Sequence, residues 1–214
     1  MTATRIREPL KANFSDQTKQ EMSKIVLVTG ATAGIGEAVA TRFAAEGYDL
    51  IVTGRRDERL QEVKRKLESE YGHRVLALNF DVRRKEQVQA NLGNLPEDWK
   101  AVDVLVNNAG LASGLNPIQD GDIEDWEKMI DTNIKGLLYV TRTIAPGMKE
   151  RRRGHIINLS SIAGKEAYPN GNVYCGTKHA VEAIGKGIDP VAEKQAAKAA
   201  LLAQQAALKR CSPL

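Results

Sequence analysis

Cysteine and histidine are both scarce in this chain. The two cysteines, Cys175 and Cys211, are too few for a disulfide framework, which fits a reducing compartment. The three histidines, His73, His155 and His179, lack the spacing of metal ligands, so we expect no metal site.

Long apolar runs are also missing. No segment approaches the ~20 apolar residues that a membrane-spanning helix needs. The N-terminal segment has no apolar stretch of the secretory type, and its acidic residues Glu8 and Asp16 are unusual in mitochondrial presequences. We therefore expect a cytoplasmic protein without a membrane partner.

Aromatic residues make up only 5% of the chain, and the net charge is only +4. One basic run, Arg151-Arg-Arg153, could bind a polyanion, but it directly precedes a strand-like segment and is better explained as a solvent-exposed loop. We expect no nucleic-acid partner. A chain of 214 residues can bury one sizeable core, which favours one main domain.

Short apolar runs alternate with longer amphipathic ones from residue 24 to about residue 160. The apolar runs are rich in Val, Ile and Leu, as buried parallel strands are: Lys24–Thr29, Asp49–Thr53, Val75–Phe80, Val102–Val106 and His155–Leu159. Helical periodicity marks the segments between them: Gly36–Glu46, Glu58–Tyr71, Lys85–Leu92 and a stretch around Glu124–Glu150. This alternation predicts an α/β fold, a Rossmann-like doubly wound parallel sheet over residues 24–187, preceded by a flexible segment over 1–23.

A glycine-rich turn, Thr29-Gly-Ala-Thr-Ala-Gly-Ile-Gly36, falls between the first predicted strand and the first predicted helix. Gly30 would permit a tight exit from the strand, and Gly34 would let a pyrophosphate approach the backbone. Gly36 would allow close helix packing, while the helix N-terminus offers free amides to the anion. The spacing differs from the commoner Gly-x-Gly-x-x-Gly, and the alternative is a turn without a ligand. The strand–turn–helix context favours a nucleotide site.

The end of the second predicted strand indicates which dinucleotide binds. An acidic side chain there would hold a free ribose 2′-hydroxyl, but this position is Gly54, followed by Arg55 and Arg56. A guanidinium can form two charge-assisted hydrogen bonds with a phosphate, which favours NADP. The alternative is two solvated arginines opening the next helix, for which we expect Asp57 as the cap.

Tyr174 and Lys178 lie four residues apart in Val173-Tyr-Cys-Gly-Thr-Lys178. One helical turn places the phenol and the ammonium on the same face. A cation near the phenol would stabilise its ionised form, so the phenol could exchange a proton. A proton-exchanging phenol combined with a nicotinamide site predicts a carbonyl reductase or alcohol dehydrogenase.

These motifs resemble the short-chain dehydrogenase/reductase family, from about residue 24 to about residue 184. Besides the glycine turn and the Tyr-x-x-x-Lys motif, the resemblance includes Asn107-Asn-Ala-Gly110, Asn133 in Asp131-Thr-Asn-Ile-Lys-Gly136, and Ser161, thirteen residues before Tyr174. Further segments are similar to one branch, the NADP-dependent dehydrogenases of 3-hydroxy acids, serine among them. These segments are Thr53–Arg56, Leu95–Trp99, Asp125–Asn133 and Gly154–Asn158.

The resemblance implies a role for each matching residue. Tyr174 would be the proton donor or base, and Lys178 would stabilise its phenolate and hold the nicotinamide ribose. Ser161 would hydrogen-bond the substrate oxygen, and Asn133 would hold a proton-relaying water. The implied cofactor-binding residues, besides Tyr174 and Lys178, are Gly30, Thr32, Ala33, Gly34, Ile35, Gly36, Arg55, Arg56, Asp81, Val82 and Asn108. The resemblance also implies a homo-oligomer.

The C-terminal part departs from the family pattern. Gly185-Lys-Gly-Ile-Asp-Pro190 would end a helix, and 191–210 is dominated by Ala, Lys and Gln without an apolar strand. We interpret 188–214 as an atypical helical tail of unrelated sequence that replaces the family's last strands, which would leave the substrate pocket without one wall. Two functions follow: an NADP-dependent oxidoreductase acting on a small hydroxy acid or related alcohol, or an inactive nucleotide-binding fragment.

Overall fold

The computed structural model of the chain describes residues 23–188. Its centre is a parallel sheet of five strands in the order β3-β2-β1-β4-β5. The strands are β1 (Ile25–Val28), β2 (Asp49–Gly54), β3 (Val75–Asn79), β4 (Val102–Asn107) and β5 (His155–Asn158). Each of the five strands predicted from the sequence is present, with ends within two residues of the expected ones.

Six α-helices connect or follow these strands within residues 23–188. They are α1 (Gly34–Ala45), α2 (Asp57–Tyr71), α3 (Lys85–Leu92), α4 (Ile123–Ile130), α5 (Leu137–Glu150) and α6 (Asn172–Gly187). Between α4 and α5 the chain makes a wider π-helical turn, Asp131–Gly136. The long helix predicted around Glu124–Glu150 is therefore two α-helices joined by this π turn.

Helices cover both faces of the sheet, as the doubly wound prediction requires. One face packs against α1 and α2 through residues such as Val39, Ala40 and Leu60. The other face packs against α3 and α5 through residues such as Val88 and Val140. All four residues of β1 are buried because the strand lies at the centre of the sheet with helices above and below it.

The sheet order reverses direction at β1, which pairs with β2 on one side and with β4 on the other. The connections after β1 and β4 therefore diverge and leave a crevice at the carboxyl ends of the strands. Ligands of open α/β sheets bind at such a switch point. The fold thus brings the glycine turn after β1 and the Asn107–Gly110 segment at the end of β4 to one place.

The basic run at Arg151–Arg153 forms a loop, but two of its side chains are bound to the protein body. Arg151 donates from Nη2 to the carbonyl oxygen of Val102 at 2.8 Å, and Arg153 forms an ion pair of 2.8 Å with Asp103. These two arginines fasten the loop to the start of β4, and all three arginines are exposed, as expected of a solvent-exposed loop.

The predictions for the two chain ends lie outside the described residues, apart from Ser23 and Ile188. α6 ends at Gly187, in the glycine-containing segment expected to terminate it. Within residues 23–188 no helix is both long and apolar enough to cross a bilayer.

Candidate active site

A cavity of about 680 Å³ opens at the switch point of the sheet. It brings together most of the residues that the sequence selected from five separate segments. The predicted residues on its wall are Gly30, Thr32, Ala33, Ile35, Gly36, Arg55, Arg56, Asp81, Val82, Asn108, Tyr174 and Lys178. Three predicted residues, Gly34, Asn133 and Ser161, are not part of the wall itself.

The glycine turn has the backbone geometry that a bound anion needs. Gly30 and Gly34 adopt positive φ angles of +66° and +57°, which other residues rarely tolerate. A Cβ at Gly34 would meet no atom within 4 Å, so the backbone here faces open space. Ala33 precedes α1 without a side-chain cap, which leaves the first amides of the helix free to bind a negative group.

Gly36 has a different role from Gly34. A Cβ at Gly36 would lie 2.3 Å from the carbonyl oxygen of Gly30 and 2.3 Å from Nδ2 of Asn108. The same Asn108 amide donates to the carbonyl oxygens of Thr29 and Gly30, at 2.8 and 3.1 Å. Gly36 therefore lets α1 pack closely against the turn, as predicted, and Asn108 fixes the turn against β4.

Arg55 and Arg56 follow β2 at one end of the cavity, and both are exposed. Arg56 donates from Nη2 to Oγ1 of Thr32 at 3.0 Å, which holds its guanidinium against the glycine turn. Asp57, expected as the cap of α2, is instead its first residue and accepts a hydrogen bond from Gln61. Two guanidinium groups at the end of β2 could hydrogen-bond a phosphate group there.

Asp81 is the single acidic residue among those found on the cavity wall. Burial by itself raises the pKa of Asp81, but hydrogen bonds from the Arg83 side chain and backbone, with the charges of Arg83 and Arg55, outweigh burial and lower the pKa. Arg83 donates from Nε and Nη2 to the carboxylate at 2.9 and 2.6 Å. Asp81 is therefore ionised at neutral pH and fixed in orientation.

Tyr174 and Lys178 lie on α6 and face the same cavity, as their spacing predicts. Lys178 is buried and donates from Nζ to the carbonyl oxygen of Leu159 at 2.9 Å. Burial lowers the pKa of Lys178. The phenol and a desolvated ammonium thus lie close together on the wall of one cavity.

Asn133 lies in the π turn, and its side-chain amide makes three hydrogen bonds within the protein. Oδ1 accepts from the backbone N–H of Leu111 at 2.8 Å, while Nδ2 donates to the Leu111 carbonyl at 2.8 Å and to Oγ1 of Thr177 at 3.0 Å. The side chain therefore joins the π turn to α6 and to the segment after β4. Both N–H groups of the amide are therefore used, so the water that the resemblance assigns to Asn133 could not accept from this side chain. π turns often occur at functional sites.

Ser161 caps a short 3₁₀ turn, Ile162–Gly164, by accepting from the backbone N–H of Ala163 at 3.3 Å. Because its oxygen is the acceptor in this bond, its hydroxyl proton remains free to donate. The neighbouring Ser160, rather than Ser161, is part of the cavity wall.

Several wall residues were not selected from the sequence. Most of them lie next to a predicted residue in the chain or at a strand end, and the others follow β4 by a few residues. They are Thr53, Gly54, Phe80, Ala109, Gly110, Leu111, Ala112, Thr132, Leu159 and Ser160. The strand ends could have indicated most of them, since all β1–β4 carboxyl ends meet at this edge. Thr132 carries no such signal, because it reaches the cavity from the π turn.

A solved structure with the same fold confirms the architecture. The crystal structure of serine dehydrogenase from Escherichia coli superposes with a TM-score of 0.72 at 50% identity, covering 77% of this chain and 74% of that chain. A closed form of serine dehydrogenase complexed with NADP+ gives the same TM-score and identity.

Curated relatives have similar sequences. The NADP-dependent 3-hydroxy acid dehydrogenase YdfG of Salmonella typhi is 55% identical over 154 residues, or 72% of this chain and 60% of the relative. Sulfoacetaldehyde reductase 2 of Chromohalobacter salexigens is 49% identical over 162 residues, covering 75% of this chain and 64% of the relative. The chain spans about 60% of the length of the first of these relatives.

The sequence profile of the family described as short chain dehydrogenase matches residues 24–197. The match extends past residue 184, where the motifs led us to end the resemblance. It includes the glycine turn, the π turn and the helix carrying Tyr174 and Lys178. The chain belongs to the short-chain dehydrogenase/reductase family.

Proposed function

We propose that this chain acts as an NADP-dependent oxidoreductase, with residues 24–187 as its nucleotide-binding domain. It would move a hydride between the nicotinamide and the carbonyl or alcohol carbon of a small 3-hydroxy acid or hydroxy amino acid. The observation that carries the proposal is the single cavity in which the glycine turn, Arg55 and Arg56 meet Tyr174 and Lys178. The names of the relatives support the same chemistry and cofactor.

The residues present fit a phosphorylated dinucleotide. The open space at Gly34 and the uncapped start of α1 can take the pyrophosphate. The guanidinium groups of Arg55 and Arg56 lie at the end of β2, where a 2′-phosphate would bind, and the strand itself ends in Gly54 and not in an acidic residue. When bound, NADPH would supply the hydride for reduction, and NADP+ would accept it during oxidation.

Tyr174 and Lys178 supply the proton chemistry. During reduction the Tyr174 hydroxyl donates its proton to the carbonyl oxygen of the substrate, and during oxidation the phenolate removes the proton from the alcohol. The Lys178 ammonium stabilises the phenolate because an opposite charge favours the ionised form. The free hydroxyl proton of Ser161 is available to hydrogen-bond the same substrate oxygen.

The test combines purified chain, NADPH and 3-oxo acids, with nicotinamide absorbance as the measurement. The proposal is supported if NADPH is consumed and NADH, under the same conditions, is not. The absence of both binding and turnover would refute it. The alternative, a nucleotide-binding chain without catalysis, predicts that NADPH binds, detected by its fluorescence, but is not consumed.

A further inference from the structure

Thr177 has no part in the proton chemistry described above, yet it lies beside Lys178 and is buried. Its Oγ1 makes hydrogen bonds to Nδ2 of Asn133 at 3.0 Å and to the backbone carbonyl of Tyr174 at 2.8 Å. The hydroxyl therefore connects the π turn to the helix that carries the phenol and the ammonium. We infer that Thr177 is a positioning residue, which holds α6 at a fixed distance from Asn133 and so places Tyr174 and Lys178 in the cavity. This inference rests on the proposed function.

The directions of these hydrogen bonds follow from the groups involved. Nδ2 of an asparagine can only donate, so Thr177 must accept from Asn133 and has one proton left. That proton is donated to the Tyr174 carbonyl. The amide of Asn133 is fixed in turn, because rotating it by 180° would place donor against donor at the N–H of Leu111. The hydroxyl of Thr177 and the amide of Asn133 thus form one hydrogen-bond network in which the donor and the acceptor of each bond are fixed.

This hydrogen-bond network reaches the proposed reaction centre at Gly110. A Cβ at Gly110 would lie 3.2 Å from Oδ1 of Asn133 and 3.5 Å from Nζ of Lys178. Oδ1 of Asn133 and the ammonium of Lys178 therefore both lie close to this glycine, and Leu111 is part of the cavity wall. A shift of Asn133 would displace both the wall and the surroundings of Lys178.

A threonine that bonds only its own helix would have a lesser role. The Thr143 hydroxyl in α5 donates to the Tyr139 carbonyl at 2.9 Å, and this is the one hydrogen bond of its side chain among the described residues. Such bonds are common in helices and contribute little to structure beyond a slight bend. Thr177 differs because its oxygen also receives a buried amide from another element. Losing that acceptor would leave the Asn133 N–H buried and unpaired.

The experiment compares Thr177→Val, which removes the hydroxyl at nearly constant volume, with Thr177→Ser, which keeps it. Thr143→Val removes a hydroxyl that bonds only within its helix and serves as the matched control. We expect Thr177→Val to lower kcat at least about tenfold while the Kd for NADPH changes less than about threefold. Thr177→Ser should restore most of kcat, and Thr143→Val should match the wild type.

Hydrogen exchange at the Leu111 amide provides a measurement that does not depend on turnover. In Thr177→Val this amide should exchange at least about tenfold faster, while that of Leu105 in β4 is unchanged. Equal kcat and equal Leu111 exchange in the valine and serine variants would overturn the inference.

Two further outcomes are covered by the same design. If the wild type binds NADPH but shows no turnover, the proposed function fails, and the Leu111 exchange still decides whether Thr177 holds Asn133 in place. If Thr177→Val does not fold, Thr177→Ala is measured in its place against Thr177→Ser. Unchanged Leu111 exchange in the alanine variant contradicts the inference, and faster exchange supports it.

Discussion

The ammonium nitrogen of Lys178 lies 5.9 Å from the centre of the Tyr174 ring, one helical turn away on α6. The same nitrogen donates to the carbonyl oxygen of Leu159, which follows β5. This bond limits where the ammonium can move. The charge therefore stays beside the phenol, where it can favour the ionised form during proton transfer.

Replacing the phenol tests its role directly. Tyr174→Phe should lower kcat by ~10²–10⁴-fold, because the variant has no proton to donate to the carbonyl oxygen. The Kd for NADPH should stay close to that of the wild type, since the glycine turn and the arginines are unchanged. Tyr168→Phe is the control, because Tyr168 is exposed and lies outside the cavity wall. Wild-type kcat in Tyr174→Phe would contradict the assignment.

The lowered pKa of Lys178 predicts a pH dependence of stability. Burial lowers this pKa in the folded chain. At a pH between the folded pKa and the ordinary value of 10.5, Lys178 is therefore protonated to a greater extent in the unfolded chain than in the folded one. Stability due to Lys178 must therefore rise as the pH increases through this window, and be lowest below it. Urea unfolding of the wild type and Lys178→Met from pH 7 upward should show the wild type gaining stability relative to the variant. A difference that is constant or falls with pH would show that Lys178 is not desolvated.

Arg55 and Arg56 should set the preference for NADP over NAD. Losing one charge-assisted hydrogen bond to a phosphate costs ~1.5–3 kcal/mol. We therefore expect Arg55→Gln and Arg56→Gln each to raise the Kd for NADPH by about 10- to 100-fold with little effect on NADH. Arg59→Gln is the control, because Arg59 pairs with Glu62 on α2. Equal losses for both nucleotides would place the arginines elsewhere than at the 2′-phosphate.

Two glycines of the turn should affect different properties. Gly36→Ala would place a methyl group 2.3 Å from the Gly30 carbonyl oxygen, a backbone atom, so we expect a loss of ~1–3 kcal/mol in the free energy of unfolding. Gly34→Ala meets no atom within 4 Å, but it points into the space proposed for the pyrophosphate. Gly34→Ala should therefore raise the Kd for NADPH. Its effect on the free energy of unfolding should be limited to the ~1–2 kcal/mol of strain at its positive φ.

The control for both substitutions is Gly176→Ala. Gly176 lies in α6, where an added Cβ has no neighbour within 4 Å, so the better helix propensity of alanine should leave stability equal or higher. Chemical unfolding and fluorescence titration with NADPH measure the two properties separately. Equal behaviour of Gly34→Ala and Gly36→Ala would contradict the different roles assigned to them.

The strands and most of the helices follow from local sequence patterns. All four residues of β1 are apolar and buried, and β2–β5 contain short apolar runs, as strands of a covered parallel sheet do. The spacing of Tyr174 and Lys178 fixes their common face because helix geometry repeats every ~3.6 residues. The π turn at Asp131–Gly136 was not predicted, since no residue in this segment marks a change of helical pitch.

The sequence by itself determined the alternation of strands and helices, the glycines that need unusual backbone angles, and the spacing of the phenol and the ammonium. All of these depend on residues close together in the chain. The tertiary structure decided which side chains are already occupied: it commits the amide of Asn133 to Leu111 and Thr177, and two of the three arginines at 151–153 to β4. Such commitments join residues far apart in sequence, so they depend on how the helices pack against the sheet and not on any local pattern.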